Sequence, residues 1–378
     1  MTPTSGPCPL CGTADPMLSV VRDRLPVFQN VVHPSPDAAV NAVSGSFGLG
    51  TCRACGFSWN TRFNADVMVY DENYDNHVAS AVFAAYYREL ALMLIERFGI
   101  SDGTVYDIGC GKGEFLRIFA RLAPGVRCVG IDPSCTPVID GNFELRCMRF
   151  DASVFTGDAK LVLLRHVLEH IDQPIAFLSA LRAAMPAAPL FVEVPDLEWI
   201  LETGAFWDFC YEHCNYFTPP TLAEALRRSG FDLIDARRSF GGQYQWALAR
   251  AGDGSAMPIA EPAAAIATVA AYAAHEAGEL DRLRARADQT GGLVIWGMAT
   301  KGVILSLMLG GDRVRGGIDM NRNKHGRFAP GSAVEIHPAD WLATLPPGSD
   351  VVVMNPNYLG EITAIAAAIR PDLAIAAI

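Results

Sequence analysis

The segment "FWDFCYEHCNYF", residues 206–217, sets Glu212 beside His213 in a run of aromatic side chains. Both groups prefer water, so their place in an apolar run needs a reason. An imidazole changes charge near neutral pH, which makes His213 a candidate for handling a proton, and a neighbouring carboxylate favours the protonated ring. The alternative is a buried ion pair that only fixes a loop. A further two histidines, His166 and His170, stand four apart in "HVLEH". That spacing would suit two metal ligands on one helix face, but no general-base context accompanies it.

Cysteines supply the other reactive cluster. Cys8 and Cys11 in "CPLCG" and Cys52 and Cys55 in "CRACG" form two C-x-x-C-G knuckles. Two knuckles bring four thiolates into tetrahedral range, with each Gly permitting the tight turn, and so predict a structural zinc ion. Unrelated turns or a redox dithiol are the competing readings. The forty residues between the knuckles are long for a compact ribbon and predict an inserted hairpin or lobe.

In "YDIGCGKGEF" an apolar strand runs through Asp107 into a loop with Gly109, Cys110 and Gly111, and an amphipathic helix follows. The glycines let backbone approach a ligand where a Cβ would collide. A dinucleotide fingerprint would need a third Gly where Glu114 stands. The next strand ends in "GIDPS", where Asp132, followed by Pro133, is placed to accept ribose hydroxyls. Asp151 in "RFDAS" is a candidate for an adenine amino group, His166 for the lining of the cofactor pocket, and His170 for the acceptor side.

These residues need a scaffold. "NHVASAVFAAYYRELALMLIERFG" has helical periodicity and a Gly stop. The strand candidates "GTVYDIG", "VRCVGID", "AKLVLLRHV" and "PLFVEVPD" alternate with helices, which predicts a parallel α/β domain. An Ala-rich stretch then reads as a connecting helix, and the βα pattern restarts at "LVIWGMATKGVILSLML". The boundaries read as an N-terminal lobe at 1–75, a central domain at 76–255, a connecting helix at 256–290 and a second Rossmann-like domain at 291–378.

At 378 residues the chain exceeds one ordinary core. Its formal charge of −11 opposes broad contact with phosphate backbones, so no nucleic-acid partner is expected. The apolar runs are too short to span a bilayer, and the opening "MTPTSGPCPLCG" does not read as a signal peptide. A cytoplasmic location is the expectation, with its ten cysteines reduced.

The series from "YDIGCGKG" through "HVLEH", over roughly residues 80–250, resembles the class I S-adenosylmethionine (SAM) methyltransferases. Together with the knuckles, the E-H pair before "NYF", and the C-terminal "GMATKG", "IDMNRNKHGRFAPG" and "NPNYLGEI", nearly the whole chain resembles the zinc-containing sugar C-methyltransferases. The resemblance implies SAM and zinc as cofactors and a nucleotide-linked 4-keto-deoxyhexose as acceptor, in a monomer or homodimer. It implies His213 as the base that removes a proton beside the ketone, Glu212 as its partner or a substrate clamp, and His170 as an enolate stabiliser. Asp107 would lie at the methionine end of SAM. Tyr74, His77 and Tyr211 are implied in the sugar pocket, and Lys301, Asn321 and Arg327, with Asn355, are candidates for holding the nucleotide diphosphate. Two positions depart from the family: Cys210 stands where a Tyr is common, and Asn76 replaces an aromatic in "YDNHVAS". An O- or N-methyltransferase of another small metabolite, or a non-catalytic SAM- and zinc-binding protein, is the alternative.

Overall fold

The computed structural model describes residues 6–68, 80–151, 155, 159–184, 187–254 and 262–378. Its central sheet has eight strands, ordered Phe231–Ser239, Tyr244–Ala251, Leu190–Pro195, Ala159–Arg165, Thr104–Ile108, Arg127–Ile131, Phe143–Arg146 and Val138–Asp140. The five inner strands from Leu190–Pro195 to Phe143–Arg146 run parallel, and the remaining pairings are antiparallel.

Strand alternation sorts the side chains to two faces. Val105, Leu161 and Leu163 point toward the helices Ala81–Phe98 and Glu114–Leu122. Tyr106, Val162 and Leu164 point toward Pro174–Ala184 and Pro219–Arg228. The expected helix ahead of the sheet begins at a Ser80 cap and stops at Gly99, which is left-handed at φ 58°. The two faces leave the carboxyl ends of the parallel strands free to carry a site.

A four-stranded antiparallel sheet forms the N-terminal lobe: Pro16–Pro26, Ser44–Cys52, Ser58–Asn60 and, last, Asn215–Tyr216. That fourth strand comes from the segment just after Glu212 and His213, pairing Asn215 with Trp59 and Tyr216 with Ser58. The lobe therefore extends beyond its own contiguous stretch of sequence and takes hold of the E-H segment.

The C-terminal sheet has six strands centred on Leu293–Trp296, which lies between the parallel strands Val314–Ile318 and Asp350–Val353. The long helix Pro262–Thr290 does more than connect. Its buried residues Val269, Tyr272, Glu276, Leu280, Leu283 and Ala287 fall at helical spacing on one face. All but Glu276 join one core with Phe47 and Leu49 of the lobe, Phe206 and Phe209 of the E-H segment, and Ile295 of the C-terminal sheet. No helix among the described residues is long and apolar enough to cross a membrane.

Candidate active site

A cavity of about 430 Å³ opens at the carboxyl ends of the central strands, lined by Gly109, Gly111, Asp132, Pro133, Met148, Phe150 and His166 among others. Gly109 is left-handed at φ 73°, and a Cβ there would collide with the Val167 side chain. Only glycine fits such a turn without strain. Asp132 accepts the backbone N–H of Gly111 at 2.9 Å and of Ser134 at 2.7 Å. Asp107 is buried, and its Oδ1 meets no donor. Burial pushes its pKa up to about 7, with Arg165 opposing and Asp132 reinforcing. The Cys110 thiol turns away toward Cys135 and Gly130, and Cys110 does not line the cavity. Asp151 is exposed and does not line the cavity, although Arg149 and Phe150 do.

Under this loop lies a polar pair that sequence reasoning missed. Arg165 and Glu193 are buried and bridge at 2.7 Å, with the guanidinium 4.2 Å from the Phe115 ring centroid and 4.5 Å from that of Tyr87. Tyr86 donates to the same Glu193 carboxylate. The next residue, His166, sits at φ 53°, a region that non-glycine residues enter only when the surroundings hold them there.

A second cavity, of about 320 Å³, lies between this sheet and the C-terminal one. His166 and His170 line both cavities, and Glu169, Glu212 and His213 line the second. The His170 and His213 rings meet edge to face at 4.9 Å. His170 Nδ1 lies 2.9 Å from the Glu212 carbonyl oxygen. A carbonyl only accepts, so Nδ1 carries the proton and Nε2 keeps a lone pair. Neutral His170 thus has no donor for an enolate and gains one only when doubly protonated. Burial pushes the His213 pKa down to about 3.

The carboxylate that faces the rings is Glu169 rather than Glu212. One ligand atom from each of Glu169, His170 and His213 lies within 4.8 Å of the others. Glu212 Oε1 instead accepts the Gln29 backbone N–H at 3.0 Å. The signal for Glu169 stood in the sequence, inside "HVLEH", between the two histidines.

The remaining sequence candidates divide. Lys301 lines the second cavity, but its ammonium pairs with Asp208 at 2.5 Å and lies 5.1 Å from the Trp199 ring centroid, so its charge is already matched. Asn355 also lines it and donates to Gln243 at 2.8 Å. Tyr211 lines neither cavity; its hydroxyl accepts the Asn64 N–H at 3.0 Å and its ring packs on Phe63 in the lobe. Asn321 is buried as the cap of a short turn, and Arg327 is exposed on a strand; neither lines a cavity. Tyr74 and His77 lie outside the described residues.

Away from both cavities, the thiols of Cys8, Cys11, Cys52 and Cys55 converge within 4.8 Å. Cys8 and Cys55 are 3.7 Å apart, and Cys11 and Cys52 3.5 Å. Four ligands at about 2.3 Å from a tetrahedral zinc would stand about 3.8 Å apart, so the cluster fits that ion. Each knuckle closes the same way: Gly12 N–H reaches Cys8 O at 2.8 Å, and Gly56 N–H reaches Cys52 O at 2.9 Å.

Residues 83–236 match the model of a family described as a methyltransferase domain. A ubiquinone biosynthesis O-methyltransferase of Cereibacter sphaeroides is 26% identical over 161 residues, 37% of this chain and 64% of that protein. The mitochondrial ubiquinone biosynthesis O-methyltransferase of Schizosaccharomyces pombe is 32% identical over 96 residues, 23% of this chain and 35% of that protein. The chain thus spans 64% or less of the length of these curated relatives. Among solved structures, CalO1, a methyltransferase in calicheamicin biosynthesis crystallised with S-adenosylhomocysteine, superposes with a TM-score of 0.36 at 21% identity, covering 45% of this chain and 54% of that one. The central part of the chain is a class I SAM-dependent methyltransferase domain.

Proposed function

We propose that this methyltransferase domain serves a SAM-dependent C-methyltransferase that removes a proton beside a ketone and methylates the resulting enolate, with a nucleotide-linked keto-deoxysugar as the acceptor. The observation that carries the reading is the convergence of His170 and His213 where the two cavities adjoin. A methyl acceptor already nucleophilic at oxygen or nitrogen needs little help, whereas a carbon acid needs a positioned base.

The residues fit SAM: Asp132 would hold the ribose, with Gly109 and Gly111 giving the backbone room, and Asp107, buried just behind the cavity with its Oδ1 meeting no donor, would serve the methionine end. When bound, SAM supplies the electrophilic methyl group. His213 takes the proton from the acceptor carbon, and the C–H electron pair stays on the acceptor as the enolate. His213 hands that proton on to His170 Nε2, so that the pair carries one added proton in all, and the doubly protonated His170 donates to the enolate oxygen. The aromatic wall of Phe83, Tyr87, Trp199 and Tyr244 excludes water and offers faces to a sugar ring. The Lys301–Asp208 pair provides polar contacts for hydroxyls, and Trp296, Asn355 and Tyr358 line the side expected to meet the nucleotide. The four thiols would hold a structural zinc.

The test is carbon acidity. The protein with SAM and a panel of nucleotide-linked 4-keto-deoxysugars in deuterated water is expected to give deuterium exchange and methyl incorporation by mass spectrometry, both falling by ~10²–10⁴ in His213→Asn. Neither product nor exchange with any of them would sink the reading. A second reading, an O-methyltransferase of another small metabolite, is favoured by the names of the curated relatives; it expects methylation without exchange and milder loss in the variant.

A further inference from the structure

Glu169 sits in the short turn Leu168–His170 at the end of the strand Ala159–Arg165. Its side chain is 2% exposed, and neither carboxylate oxygen has a hydrogen-bond partner. Among the described residues no lysine or arginine pairs with it; its one ion-pair neighbour is His166, whose Nδ1 is 3.5 Å away. The acidic groups near it are otherwise satisfied: Glu193 by Arg165, Asp208 by Lys301. A buried carboxylate without a cation is costly, so its partner must be a charge that comes and goes. Among the described residues, the groups within reach that gain charge are the imidazoles.

We propose that Glu169 is the buried counter-charge of the imidazole pair His170 and His213, a positioning residue that stabilises the pair while it carries the proton taken from the acceptor. The inference rests on the keto-acceptor reading for the origin of that proton. The balance is simple: the acceptor C–H breaks, its electrons remain on carbon, the proton goes to an imidazole nitrogen, and Glu169 itself receives nothing. The imidazolium and the carboxylate then form a pair with no net charge inside a cavity where burial disfavours an isolated imidazolium.

Charges from every side bear on His213. Burial lowers its pKa most, His170, His166 and Lys301 push the same way, and Glu169 raises it. For Glu169, burial opposes ionisation, yet His166, His170 and His213 together hold its pKa below the ordinary glutamate value, so it stays charged. Glu212, although adjacent in sequence, spends its carboxylate on Gln29 in the lobe. Ligand atoms of Glu169, His170 and His213 lie within 4.8 Å of one another, so the carboxylate stands beside both rings between which the proton would be held.

The test uses the full chain with zinc bound. In Glu169→Gln, with SAM affinity by calorimetry reporting an intact fold, imidazole titrations followed by NMR of labelled histidine should move to lower pH by about one pH unit or more. Turnover should fall ~10–100-fold with the acceptor KM nearly unchanged. Glu169→Asp, which keeps the charge, should recover part of both. Unshifted titrations in a folded, SAM-binding Glu169→Gln protein would overturn the proposal, as would loss of a second bound metal ion from that variant, because Glu169 would then be a ligand. The titrations need no acceptor, so failure of the keto-acceptor reading shows separately, as absent deuterium exchange in the unsubstituted protein.

Discussion

At the end of the strand Thr104–Ile108, Asp107 is held in a state that a ligand should reverse. Burial pushes its pKa up to about 7, and one of its oxygens meets no donor. Near neutral pH the Asp107 carboxyl therefore mixes protonated and ionised forms, while a cationic methionine end selects the ionised form. The sign follows: SAM binding releases a proton, and affinity strengthens as pH rises to about 7. Below that, affinity should weaken by up to about tenfold per pH unit. Calorimetry in buffers of different ionisation heat would show the release, and Asp107→Asn should flatten the profile; a flat profile in the unsubstituted protein would refute the coupling. The place of Asp107 at a strand end ahead of a glycine loop was legible in the sequence, because a strand, an acid, a glycine loop and an amphipathic helix follow one another in the order of a strand-to-helix turn. Tyr211 was not. Its neighbours Glu212 and His213 line the cavity, but Tyr211 turns its ring under Gly45 and Phe63 of the lobe, and nothing in the local pattern decides which way one residue of an irregular segment points. Lys301 is similar: its position near a helix start was readable, whereas its partner Asp208 lies 93 residues away.

Among the elements, the pairing of Asn215–Tyr216 with Ser58–Asn60 links the sheet that carries the cysteine knuckles to the segment that carries His213. His213 stands two residues before that strand, so the lobe sets where the imidazole lies. Both knuckles were legible, since C-x-x-C-G carries its own turn geometry in the glycine, and Gly12 and Gly56 adopt φ 78° and 73° as that turn requires. The strand that joins them to the site was not: it is two residues long, too short for any periodicity, and its partner is more than 150 residues away. The consequence is testable at this scale. Cys8→Ser should lower bound zinc below one ion per chain by metal analysis and reduce the melting temperature by ~5–10 °C. Turnover should fall further than SAM affinity, because the cofactor cavity is built on the central sheet while His213 is anchored to the lobe. Equal losses of both would mean that the lobe supports the whole fold rather than this one segment.

At the scale of the molecule, the sequence divides into successive domains, but the core does not. Arg22 shows why. It is buried in the lobe, donates to the carbonyls of Phe209 at 2.6 Å and Phe206 at 2.9 Å, and pairs with Glu276 of the long helix at 2.9 Å. One guanidinium thus ties together the lobe, the segment leading to Glu212 and His213, and the helix that carries the C-terminal sheet. The helix itself was readable from its alanines, yet its role as a packing wall depends on partners at both ends of the chain, which composition does not reveal. Removing one member of such a pair leaves a buried charge unmatched and costs about 3–5 kcal/mol. Arg22→Met should therefore lower stability by that order in urea unfolding, and Glu276→Gln by a similar amount. Replacing both is expected to cost less than the sum of the two, because the second substitution removes a charge that the first has left alone. Strict additivity would mean that Arg22 acts through the Phe206 and Phe209 carbonyls alone, and the long helix would then be held only by its apolar face.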